Sequence, residues 1–250
     1  MLFTISESSP SKVPFIERLK PLIKTYQGKK PKVKTYLGAP QKALGELLAE
    51  VGIGACVSPS TKKHFDSYAF YFLDNGAFGY WIKGKKFNSI PFLNLVEKSL
   101  KAQKKADFLV LPDLIGKGKE SLEFSSMWAE KLRGVGIPFA LALQDGMEEV
   151  EVEEFVRAYN VKVLFVGGTT PWKWRTAEKW VNLAERLGIK CHIGRVPSAK
   201  RVYQARRAGA HSIDTTQALW KEGKFMNYIE AVMKPSFYQQ PTLPFVEALC

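Results

Sequence analysis

Three short apolar runs each end on an aspartate: Asp74 in YAFYFLD, Asp113 in DFLVLPD and Asp214 in HSID. A fourth, PFALALQ, ends on the amide of Gln144, and a fifth, KVLFVGG, ends on Gly167 and Gly168. A carboxylate can attack carbon as a nucleophile or shuttle a proton, and an amide beside it can hydrogen-bond the group acted on. One such aspartate alone reads as the cap of the turn that follows, but three in the same kind of place point to a site. Gly167-Gly168 reads as a phosphate cradle, as a point where a ligand approaches the backbone, or as a turn. His192 in KCHIG and His211 read as structural, since neither belongs to a His-x-His or His-Glu-x-x-His set. The stretch PWKWRTAEKW at 171–180 mixes indoles with cations, which suits either a nucleotide clamp or burial as core.

The runs that carry these residues belong to a set of eight. Candidate strands are KVKTYLG (32–38), GACVS (54–58), YAFYFLD (68–74), DFLVLPD (107–113), PFALALQ (138–144), KVLFVGG (162–168), KCHIG (190–194) and HSID (211–214). They are nearly continuous in apolar residues, as expected when both faces of a parallel sheet are covered. Helical patterns lie between them. Thr176 is positioned to cap a helix with Trp180, Leu183, Ala184 and Leu187 on one face and Gly188 as its stop. Ser198 is positioned to cap another that carries Val202, Ala205 and Ala208 and ends at Gly209, while EEVEVEE at 148–154 reads as a solvated helix face. Eight βα units predict a single (β/α)₈ barrel over residues 1–250, with 1–31 as a basic N-terminal extension and 233–250 as a C-terminal tail. A doubly wound open sheet is the alternative. In a barrel every strand-end residue named above faces one mouth.

Composition narrows the class. With 46% hydrophobic residues among 250 the chain can bury a core, which excludes disorder, and no apolar run is long enough to span a bilayer. The N-terminal MLFTISESSPSK lacks the apolar stretch of a signal peptide, so a cytoplasmic protein with no membrane partner is expected. Cys56, Cys191 and Cys250 are widely spaced, which argues against a disulfide framework and against a metal site. Lys and Arg number 37 against 24 Asp and Glu, a net charge of +13. The surplus concentrates in residues 1–34 (eight basic, two acidic) and 173–207 (ten basic, two acidic). Clustered positive charge suits a polyphosphate, so Lys173, Arg175, Arg195, Arg206 and Arg207 are candidate nucleic-acid contacts.

The order of these motifs resembles the tRNA-guanine transglycosylase superfamily, (β/α)₈ barrels that exchange guanine in a polynucleotide for a 7-deazaguanine. The resemblance covers about residues 70–220. FLDNGAF is similar to the family's Asp-Ser-Gly-Gly-Phe segment and aligns Asp74 with its general acid/base, and LPDLIG places Asp113 at the base-recognising aspartate. Gln144 in ALQDG falls at a base-binding glutamine, and VGGTTPW, with Gly167 and Gly168, resembles a Gly-Gly turn whose backbone meets the base. HIGRVPSAKRVYQARRAGAHSIDTT resembles the family's glycine-to-proline turn, helix, Ala-x-x-x-Gly, strand and aspartate, and aligns Asp214 with the nucleophile.

Members that act on tRNA carry three cysteines and a histidine for zinc after the nucleophile, whereas here the 36 residues after Asp214 hold one cysteine, Cys250. The chain is therefore more similar to the compact DNA transglycosylases of phage and bacterial modification clusters, with DNGAF in place of DSGGF and QDG in place of QGG. The resemblance implies exchange of guanine in DNA for a base such as preQ0, through a covalent bond to Asp214, with no cofactor or metal. Its implied partners are DNA, with tRNA as the alternative, and the free 7-deazaguanine; it allows a helper protein or a homodimer. Two rival readings remain open: a non-catalytic nucleic-acid-binding barrel, and a barrel enzyme that binds a phosphorylated small molecule at Gly167-Gly168.

Overall fold

The computed structural model describes residues 14–61, 63–216 and 222–234. The chain enters through α1 (Phe15–Tyr26), then β1 (Lys34–Gly38), α2 (Lys42–Ala49), β2 (Gly54–Val57), β3 (Tyr71–Leu73), α3 (Ala77–Ile82) and α4 (Ser89–Leu100). It continues through β4 (Leu109–Val110), α5 (Gly118–Lys131), β5 (Phe139–Leu143), α6 (Glu149–Tyr159), β6 (Val163–Val166) and α7 (Thr170–Arg186). The last elements are β7 (Lys190–Ile193), α8 (Ala199–Arg207), β8 (Ser212–Thr215) and α9 (Glu222–Met233). The strands pair in parallel in sequence order, and β8 closes on β1 with Tyr36 opposite Asp214. This is a single (β/α)₈ barrel.

Strand periodicity explains how the chain fills both layers. Leu37, Leu141, Leu143, Leu164, Val166 and Ile193 point outward into the shell between barrel and helices. Their neighbours Tyr36, Phe72, Ala140, Ala142, Val163 and Phe165 point inward and pack against one another. Full burial of a large apolar side chain such as Phe72 contributes roughly 1.5–3 kcal/mol. Above that apolar floor the inward positions turn polar, with His192, Ser212 and Asp214 all buried.

Some local expectations change. Between β2 and β3 a single 3-10 turn, Phe65–Ser67, replaces the crossover helix, because SPSTKKHFDSY has no apolar stripe to lay on the barrel. The helix after β6 starts at Thr170 rather than beyond Thr176: Pro171 sits in its first turn, where a missing N–H costs nothing. Thr176 lies inside that helix and donates its hydroxyl to the Trp172 carbonyl. Ser198 does stand at the start of α8, but its side chain makes no capping bond. Part of the supposed N-terminal extension is α1, which buries Leu19, Ile23 and Tyr26 in the shell. Of the supposed tail, Met233 ends α9 and Lys234 follows it; residues 1–13 and 235–250, including Cys250, lie outside the described residues. No described helix is long and apolar enough to cross a membrane.

Candidate active site

The mouth at the C-terminal ends of the strands gathers the residues singled out by their positions. Asp74 directly follows β3, Asp113 comes shortly after β4, Gln144 directly follows β5, Gly167 and Gly168 follow β6, and Asp214 lies within β8. Asp113 is held from both sides: Asn75 donates its side-chain amide to Oδ1 at 2.7 Å, and Gln144 donates Nε2 to Oδ2 at 2.5 Å. Gln144 is fixed in turn by the Gly116 N–H, which donates to Oε1 at 2.9 Å. Asn75 also accepts from the Ala77 N–H and donates to the Leu111 carbonyl, so it ties the start of α3 to the end of β4. Asn75 was legible only as a departure from a motif. Its partner, Asp113, lies 38 residues away in sequence.

Asp214 sits in a different environment. Its Oδ1 accepts from His192 Nε2 at 2.9 Å and from the Arg195 backbone N–H at 3.2 Å. The other ring nitrogen of His192 lies 2.8 Å from the Ser212 hydroxyl. Phe165 stacks on the imidazole, with ring centroids 4.6 Å apart and planes 21° apart. Burial holds the His192 pKa below the ordinary histidine value, outweighing the bond to Asp214, so the imidazole is neutral. A carboxylate can only accept, so Nε2 carries the proton and Nδ1 accepts from Ser212. His192 is buried and is a direct partner of the candidate nucleophile; strand alternation with Gly194 in KCHIG is the signal that it points inward.

Burial and like charge act on the other carboxylates. Asp74 is pushed up to about 7, first by burial and then by the negative charges of Asp214 and Asp113. Its side chain accepts a hydrogen bond from the Gly76 N–H at 3.0 Å. Asp113 is raised to about 6 by burial, against the bonds from Asn75 and Gln144 and the charge of Arg195. The environment therefore leaves one carboxyl near half protonation at neutral pH beside another that is mostly ionised.

Arg195 is the cation at the centre of the mouth. It has a left-handed backbone, φ 54°, rare for a residue with a side chain and a local strain that functional sites often hold. Its guanidinium donates to the carbonyls of Gly167 and Gly168 and lies 4.3 Å above the Phe78 ring. Gly168 and Gly194 are required by crowding. A Cβ on Gly168 would lie 2.5 Å from the Trp172 ring, and one on Gly194 would lie 2.5 Å from the Phe165 ring and 3.3 Å from Asp214 Oδ1.

The other candidate cations divide. Lys173 is buried at 1% exposure and donates Nζ to the carbonyls of Gly194 at 2.5 Å and Arg195 at 3.2 Å. It braces the loop that carries Arg195 and has no surface to offer a phosphate. Arg175 is exposed in the first half of α7, at the mouth end of the barrel. Arg206 and Arg207 occupy the last turn of α8, which returns the chain to the start of β8, so they lie at the opposite end of the barrel. Arg206 donates to the Lys234 and Ala231 carbonyls at the end of α9. Lys34 likewise stands at the start of β1 and pairs with Asp107 at 2.9 Å. Of the indoles, Trp180 is core, Trp172 is half-buried against Gly168, and Trp174 is half-buried under the Arg201 guanidinium at 4.6 Å. Packing accounts for this stretch. Among the described residues, no three His, Cys, Asp or Glu side chains are placed to share a metal ion.

No family model and no curated protein matches the chain. Solved structures do. A mandelate oxidase variant with the C4a-OH-FMN adduct aligns over 80% of this chain and 71% of its own, at 13% identity and TM-score 0.52. A structure described as native KDPGal aligns over 80% and 92%, at 11% identity and TM-score 0.47. A designed cube-shaped, porous protein cage aligns over 81% and 72%, at 11% identity and TM-score 0.45. At these identities the first likeness supports the barrel fold and nothing about chemistry.

Proposed function

We propose that this barrel is a base-exchange transglycosylase that replaces guanine in DNA with a 7-deazaguanine such as preQ0. One observation carries the reading: a carboxyl poised near neutrality, Asp74, a clamped base-edge acceptor, Asp113, and a buried carboxylate set for attack, Asp214, all meet at one mouth. Each has a distinct task. Asp214 attacks C1′ as the C1′–N9 bond breaks through an oxocarbenium-like state, and the departing guanine takes the electron pair of that bond together with the Asp74 proton. The incoming base then gives its N9 proton to Asp74 and its electron pair to C1′, which releases Asp214 as a carboxylate. The sum is balanced and needs no redox partner.

Recognition follows from donor and acceptor count. Guanine presents N1–H and N2–H₂ as donors, which suits the remaining lone pairs of Asp113, while the second N–H of Gln144 can serve O6. Asp113 and Asp214 are each only 5% exposed, so the target nucleotide must leave the stack, and Arg195 must swing from Phe78 as it enters. DNA is the polymer of this proposal, with tRNA as its alternative. The test is incubation with guanine-containing DNA and labelled preQ0: label entering polymer supports exchange, and binding without label would leave a non-catalytic barrel.

A further inference from the structure

The cations that the sequence assigned to nucleic acid mostly lie elsewhere, which raises the question of what grips a polymer at the mouth. Helix α3 and the loop after it supply what is missing. They spring directly from the site, through Asp74, which accepts from the Gly76 N–H, and Asn75, which accepts from the Ala77 N–H. From Arg195 an aromatic path leads outward: Phe78 lies under the guanidinium, and Trp81 stands 5.7 Å from Phe78, centroid to centroid. Trp81 is 52% exposed and Ile82 63%, among the most exposed large apolar side chains of the described residues. Lys83, Lys85 and Lys86 follow at once, all exposed, and among the described residues no carboxylate pairs with them. Tyr80, Lys83 and Lys85 also wall a groove of about 320 Å³ against Pro59 and Ser60, which follow β2 on the same rim.

This element is anchored rather than loose. Phe87, at its far end, packs against Phe92, Phe124 and Trp128 with centroids 5.8–6.0 Å apart. A solvent-exposed indole followed by three exposed lysines that no described carboxylate pairs, on a fixed base beside a buried carboxylate cluster, presents an aromatic face and positive charge side by side. A nucleic-acid strand meets both halves of that surface at once: bases stack on the indole, and phosphates pair with the ammonium groups.

We propose that α3 and the Lys83–Lys86 loop form the platform that holds the polynucleotide beside the extruded nucleotide, with Trp81 stacking on a neighbouring base and Lys83, Lys85 and Lys86 pairing with the backbone. This rests on the reading of the mouth as a site for a nucleotide within a polymer, and it names a surface that neither the charge clusters nor the motifs of the sequence identify. The partner is a nucleic acid and not an acidic protein, because an acidic peptide uses the lysines but has no flat base for Trp81.

The test measures binding of the full chain to a labelled guanine-containing oligonucleotide at several salt concentrations. Replacing Lys83, Lys85 and Lys86 together with Gln should raise Kd at least about tenfold and flatten the salt slope by two to three units. Tryptophan fluorescence should be quenched on binding in wild type and much less in Trp81→Ala, and Trp81→Ala should weaken binding by about 5- to 100-fold. A control with equal charge loss at the opposite end, Lys24, Lys30 and Arg207 all to Gln, should change Kd by less than about threefold. The idea fails if the triple variant and Trp81→Ala both bind within twofold of wild type, or if polyglutamate competes as well as the oligonucleotide and Trp81→Ala has no effect. Failure of the platform leaves label exchange by wild type intact, whereas failure of the exchange reading leaves the platform binding DNA with no label incorporated. Wild type that binds no nucleic acid would overturn both.

Discussion

His192 Nε2 lies 2.9 Å from Asp214 Oδ1, inside the barrel and one layer above an aromatic floor. The register of β7 and β8 sets Ser212 opposite His192, so the chain Ser212 to His192 to Asp214 is built across two adjacent strands. A neutral histidine in that place orients the carboxylate without neutralising it. His192→Phe should keep the stack on Phe165 but lose the bond, lowering kcat by about 10- to 100-fold with KM nearly unchanged. His192→Gln, which restores an N–H donor, should recover part of that loss; a merely structural role would make Gln the worse of the two replacements.

Asp74 carries a pH signature. Its pKa of about 7 in the folded chain exceeds the ordinary carboxylate value, so the folded state holds its proton more tightly and the stability this gives is present at low pH. That contribution is lost as pH rises from about 4 through 7. Asp74→Asn should therefore unfold at a higher temperature than wild type at pH 8, by the equivalent of about 1 kcal/mol after allowance for its partial exposure, and the advantage should vanish at pH 4. The same variant should lose exchange. Thermal melts at the two pH values check the sign.

Lys173 should behave as a brace. Removing the ammonium strands the Gly194 and Arg195 carbonyls, so Lys173→Met should lower stability by about 1–3 kcal/mol while the salt slope of DNA binding stays the same. Burial, followed by the charge of Arg195, holds this amine down to about 7. A flattened salt slope in Lys173→Met would return the residue to the phosphate contacts.

Much of this is legible in the sequence, and the rest depends on which segments the barrel brings side by side. All eight strands stand out because a parallel barrel buries both faces and so demands apolar runs. Asp74, Asp113, Gln144 and Asp214 stand out because polar residues ending such runs must face the mouth. The bond of His192 to Asp214 and that of Asn75 to Asp113 depend on strand register, which no local pattern encodes. The basic residues misled because net charge carries no direction. The last turn of α8 faces away from the mouth, and that follows from helix polarity once the strand after it is known. Lys173 misled because an ammonium satisfied by two carbonyls can be core.

The central claim is base exchange through Asp214, and one assay reaches it most directly. Guanine-containing DNA and tRNA at equal concentration are incubated with labelled preQ0 in one vessel, with wild type or Asp214→Asn, and the polymers and any denaturation-resistant protein adduct are counted. The account predicts label in the DNA and an adduct with wild type, and less than about a tenth of either with Asp214→Asn. Label in neither polymer with wild type, or undiminished label with Asp214→Asn, would contradict it.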